Sequence, residues 1–148
     1  MMKSTLYLLS VLSLCSFSCE DDLAQKEVPE AVKAGFTASF PEAAKVEWEK
    51  SGESYEVEFI FNNLEHEALL NTAGDVLKFK HDVQPADLPE AVTGSISQNY
   101  SGMLVSDPER VQQGDQEYYQ LELEKDEQEL HLVFSADGQQ QSEPLFWD

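Results

Sequence analysis

The chain has 148 residues, 41% of them hydrophobic, with eight Phe, five Tyr and two Trp; that is enough apolar material for one core, or for two small repeats sharing one, and it excludes global disorder. Nine basic against 29 acidic side chains give a net charge of −20. Such a surface repels nucleic-acid phosphates and anionic lipid headgroups; it suits basic partners or cations, or serves solubility alone.

The first segment reads as a targeting signal rather than a structural element. Lys3 supplies positive charge, and Leu6 to Phe17 supplies an apolar run short of the roughly 20 residues a membrane-crossing helix needs. Ser16-Phe17-Ser18-Cys19 resembles a lipobox, in which a small residue precedes the acylated cysteine. Cys15 is the rival site, but bulky Leu14 precedes it. The expected organisation is a signal over 1–18, lipidation at Cys19 and an acidic tether over 19–27. Glu20-Asp21-Asp22 in that tether resembles acidic signals for display at the cell surface; retention at the periplasmic face of the outer membrane is the other orientation. With Cys15 removed and Cys19 acylated no thiol remains, which excludes a cysteine nucleophile, a CxxC redox site and a cysteine-ligated zinc.

Val28, Val32, Phe36 and Phe40 fall four apart and predict a helix with one apolar stripe. Pro29 suits its first turn, Glu30 follows where the helix dipole favours negative charge, and Pro41 closes it. The period then drops to two: Tyr55, Val57 and Phe59 alternate with Glu56, Glu58 and Ile60. A further strand over Leu64–Asn71 ends at the Ala73-Gly74-Asp75 turn, with Lys45–Glu49 and Val76–His81 as weaker flanking strands. The pattern then recurs. Leu88-Pro89-Glu90-Ala91-Val92 repeats Val28-Pro29-Glu30-Ala31-Val32, and Leu88, Val92, Ile96 and Tyr100 form a second stripe. Met103–Ser106 is a weak strand; Tyr119, Leu121 and Leu123 alternate with Gln120, Glu122 and Glu124. Gln128–Ser135 reaches a turn at Ala136-Asp137-Gly138, and Gln139–Phe146 is a last weak strand whose Pro144 suits a sheet edge. The units are 28–82 and 83–148, an α+β fold of two tandem repeats, each a helix followed by three or four antiparallel strands.

The repeated Val/Leu-Pro-Glu-Ala-Val helix start, the aromatic near the helix end, the Tyr-x-Val/Leu-x-Phe/Leu strand and the Gly turn resemble the PepSY-like family, also called β-lactamase-inhibitor-protein-like, over residues 28–142. The resemblance implies that the two sheets join into one curved antiparallel sheet with helices on one face. It also implies export, since family members are typically exported and many are lipoproteins. Related inhibitor proteins bind enzymes through a concave sheet face, although no inhibitory motif is identifiable in this chain.

No GxSxG, HExxH or phosphate-cradling Gly loop occurs, and no enzyme, cofactor or metal is expected. His66 matches Leu130 of the second repeat and so takes the core parity, Glu65 and Glu67 beside it point the other way, and His131 is on the outward parity. Glu56, Glu58, Glu65, Glu67, Glu122, Glu124 and Glu129 share the outward face with Ile60, Leu69 and Val133; Trp48 belongs either to this face or to the core. Apolar groups among acids predict a binding surface. The expectation is a non-catalytic, lipid-anchored envelope protein that recognises an envelope or extracellular protein or peptide; the alternative is a structural or accessory envelope lipoprotein without a discrete ligand site.

Overall fold

The two apolar stripes and the alternating runs meet on a single sheet. The computed structural model describes residues 22–148, so the signal and Cys19 lie outside the described residues. Nine strands follow one another in sequence order, each antiparallel to the next: β1 Asp22–Leu23, β2 Ala44–Ser51, β3 Ser54–Phe61, β4 Leu64–Leu70, β5 Val76–Asp82, β6 Leu104–Gln113, β7 Gln116–Lys125, β8 Gln128–Ser135 and β9 Gln140–Gln141. Helix α1 spans Glu30–Ser39 before β2, and α2 spans Glu90–Asn99 before β6. The repeats therefore join into one α+β sheet through the β5–β6 pair.

Each helix buries its predicted stripe. Val28, Val32, Phe36 and Phe40 pack with Trp48, Val57, Phe59, Ala68 and Leu70, and the Phe36 ring stands edge-on to Trp48 at 5.2 Å and to Phe59 at 4.9 Å. Leu88, Val92 and Ile96 pack with Tyr119, Leu121, Leu123 and Phe134. One cross-strand row, Phe59–His66–His81–Arg110–Tyr119–Phe134, runs from the first core to the second, which puts both helices on the same side. The middle of that row is polar. His66 stacks on Phe59 and lies 4.9 Å from His81, while Arg110 and Tyr119 both donate to Glu117. A cleft of about 420 Å³ opens at this junction, lined by Phe40, Phe61, His66, Leu77 and Phe79.

The repeated motif has a direct packing role. Gly74 and Gly138, in the turns after β4 and β8, have φ of 91° and 83°. A Cβ on either would come within 2.2 Å of the Ala31 carbonyl oxygen or 2.3 Å of the Ala91 one. Each glycine turn thus presses backbone to backbone on the Ala of its own Pro-Glu-Ala-Val helix start.

Three expectations need revision. The acidic tether does not stay clear of the fold: Asp22 and Leu23 pair with Glu49 and Trp48 as an edge strand. The weak strand expected over Met103–Ser106 is the start of a long one: β6 and β7 have ten residues each, against eight in β2 and β3. Gln139–Phe146 is not a continuous strand. Pairing stops at Gln141, and the chain leaves the edge to cross the face opposite the helices, where buried Gln120 supplies the partners that a sheet edge would have supplied.

Candidate functional site

The face opposite the helices is laid out in cross-strand rows. One runs Glu47–Glu58–Glu67–Lys80–Val111–Tyr118, and beside it lies Glu56–Leu69–Lys78. On the other side Asp82–Glu109–Gln120–Val133 is followed by Ser106–Glu122–His131 and Leu104–Glu124–Glu129. Ile60 and Glu65 pair at the margin of the first repeat. Glu56, Glu58, Ile60, Glu65, Glu67, Leu69, Glu122, Glu124, Glu129 and Val133 therefore share one face, with Glu58, Glu65, Glu124 and Glu129 exposed. Trp48 does not join them. It is 3% exposed, opposite Val57 in the row that continues to Ala68 and Phe79, and it is a core residue. A bulge between Ala44 and Glu47, with Lys45 at φ 52°, resets the alternation ahead of Trp48.

The centre of this face is basic and covered. Lys80 is 6% exposed, with Nζ 3.2 Å from Glu67 and 3.3 Å from Glu109. Burial pushes the Lys80 ammonium down, but the two carboxylates outweigh it and hold the group above its ordinary range. Glu67 is raised to about 8, by burial first and by Glu56 beside it, against the pull of Lys80. Lys78 is lowered by burial, which Glu56 and Glu67 only partly offset. Over these groups lies the segment after β9. Trp147, 8% exposed, places its ring 3.9 Å from Lys78 Nζ and 4.9 Å from Lys80 Nζ. Gln120, 1% exposed, donates to the Trp147 carbonyl at 2.6 Å and accepts from the Trp147 N–H at 3.1 Å. Lys80 donates to the same carbonyl at 2.9 Å. Val133 is buried beneath this segment beside buried Val111 and half-buried Tyr118, and so is not a free apolar contact.

Lys78, Lys80, Gln120 and Trp147 were not among the residues expected from sequence. The two lysines alternate with Leu77, Phe79 and His81, and this parity alone assigns them to the face. Nothing comparable marks Trp147, which is not in a strand.

Among the described residues, one group brings three potential metal ligands within 4.8 Å: Glu122, Glu129 and His131. His131 Nε2 already lies 2.8 Å from Glu129 and 3.3 Å from Glu122, and its ring stacks on Phe146 at 4.6 Å. The Glu129 hydrogen bond holds the imidazole above its ordinary value, favouring an ion pair over a free ligand lone pair.

The family model described as beta-lactamase-inhibitor-like, PepSY-like matches residues 18–78 and again 67–141. No curated protein matches the chain. Several solved structures share the fold. A candidate periplasmic protein from Bacteroides eggerthii has a TM-score of 0.71 at 18% identity, over 76% of this chain and 85% of that one. A DUF2874 family protein from Bacteroides uniformis gives 0.71 at 20% over the same shares, and a BLIP-like protein from Bacteroides fragilis gives 0.68 at 19%, over 76% and 82%. At these identities the likeness is one of fold.

Proposed function

Because the chain belongs to the PepSY-like, beta-lactamase-inhibitor-like family, we propose that it is a non-catalytic envelope protein that recognises a basic protein or peptide through the sheet face opposite its helices. The observation that supports this reading is the distribution of charge on that face. Exposed Glu58 and Glu65 on one wing and Glu124 and Glu129 on the other flank a centre where Lys80 is already paired with Glu67 and Glu109. A basic partner meets two acidic wings, with Lys80 paired and Lys78 covered by Trp147 at the middle, which favours fast, salt-sensitive encounter. Leu69 and Ile60, half-buried among the acids, supply the apolar contact. An exported location is supported by the candidate periplasmic relative, and lipidation at Cys19 would hold the domain at the membrane surface. Among the described residues no helix is long and apolar enough to cross a membrane.

Affinity capture from solubilised envelope, with the full chain as bait, tests the proposal. The expected result is one stoichiometric basic partner. Its association should slow as salt rises, and slow again in the Glu58→Lys, Glu124→Lys double variant, with dissociation little changed. A multi-component assembly indifferent to both would favour the accessory role and count against recognition through this face.

A further inference from the structure

The segment crossing the sheet face is held in the manner of a bound peptide. Its main contacts involve one residue, Trp147: a backbone amide paired on both sides by the Gln120 carboxamide, a carbonyl shared with Lys80, and an indole over Lys78. The receiving groups do not depend on the segment for their position. Lys80 is fixed from two sides by Glu67 and Glu109, and Gln120 also donates to Glu109. The backbone-reading groups Lys80 and Gln120 are therefore in place before any peptide arrives, with Lys78 beside them for the ring. Elsewhere the segment is held by the stack of Phe146 on His131, while Leu145 is 71% exposed and Asp148 is exposed.

We infer that Lys78, Lys80 and Gln120 form a docking site for an extended peptide carrying a tryptophan, and that residues 144–148 of this chain are its resident occupant, displaced when such a partner binds. The inference deepens the sheet-face reading above and rests on it. The amide of Gln120 reads any backbone, as an added strand does, and the paired lysines select the aromatic side chain. The tethered segment competes at an effective concentration on the order of millimolar, so only a peptide that also engages the acidic wings displaces it readily.

The test uses the full chain and a fluorescent heptapeptide with the sequence of Ser142–Asp148, read by anisotropy. The Trp147→Ala protein should bind it saturably, and the wild type at least ~10-fold more weakly because its site is filled. The same peptide with Ala at the Trp position should bind the variant at least ~10-fold more weakly. Adding Gln120→Leu should abolish binding. A Phe146→Ser, Trp147→Ser double variant, checked for fold by circular dichroism, provides a second emptied site. Folded variants that bind neither peptide, or both equally, overturn the inference. If they bind neither but still capture an envelope partner through Glu58 and Glu124, this docking site falls and the sheet-face reading stands. Selective peptide binding without any envelope partner sinks the sheet-face reading instead and leaves the docking site supported.

Discussion

Adding one methyl group at two helical glycines should have opposite effects on stability. An ideal Cβ at Gly35, in α1, falls 1.9 Å from the Gly74 carbonyl oxygen, 2.6 Å from its carbonyl carbon and 2.9 Å from its Cα. All three are backbone atoms, so no side-chain rotation relieves the contact, and helix and turn must part by about 1 Å or more. The turn resists, because Asn71 Oδ1 accepts from both Ala73 N–H and Asp75 N–H at 2.9 Å. At Gly94, in α2, nothing lies within 4 Å of the same added atom. Alanine gains about 1 kcal/mol of helix propensity at either site. Unopposed at Gly94, that gain should raise stability by about 1 kcal/mol. At Gly35 it is overwhelmed by overpacking of about 3 kcal/mol and by loosening of Phe36 against Trp48 and Phe59, for a net loss of about 2–4 kcal/mol. Urea unfolding followed by tryptophan fluorescence measures both, Trp48 reporting from the first core. A Gly35→Ala protein as stable as wild type, or a Gly94→Ala protein weakened by more than about 1 kcal/mol, would refute the reasoning from close backbone approach.

Three other outcomes follow from the same structure. Phe36→Ala should cost about 3–5 kcal/mol in chemical denaturation, since the ring is 5% exposed and contacts Phe40, Trp48 and Phe59; a loss under about 1 kcal/mol would place that ring outside the core. Glu67 is raised in the fold, so its contribution is fully present below the ordinary carboxylate pKa and lost as pH rises through about 8. Thermal midpoints compared between pH 5 and pH 9 should therefore fall less in Glu67→Gln than in wild type, and an equal fall in both would contradict the buried carboxyl. For the signal, Cys19→Ser should abolish fatty-acid labelling while Cys15→Ser keeps it; the reverse result would move the lipidation site.

Period and punctuation made the helices legible: spacing of four located every buried residue of α1 and α2, and alternation located β3, β4, β7 and β8. The identity of the two repeats was legible because each must place an Ala carbonyl against a Gly turn. Trp48 was ambiguous because a bulge at Lys45 shifts parity by one residue, and a non-glycine residue at positive φ leaves little local trace. The second repeat has the same device, with Asp107 at φ 41° between Ser106 and Glu109, so β6 continues beyond the predicted Ser106 to Gln113. The contacts of Trp147 were beyond reach for a different reason. They join residues 69, 67 and 27 positions apart, through an amide and two ammonium groups that have no periodicity of their own.

A sheet whose strands lie in sequence order has an unusual consequence for how the molecule assembles. Every hairpin can close as soon as its second strand is available, so loop-closure entropy stays small and rapid folding is expected for the sheet. Each helix precedes the strands it covers, and each repeat can collect its own core before the other is complete. The docking of Trp147 is the exception. It needs β5 of the first repeat and β7 of the second to be in place together, so it can close only after the two halves have joined. Burial of that indole is therefore a timer for the final step. In a stopped-flow refolding record it should appear as a phase later than the burial of Trp48.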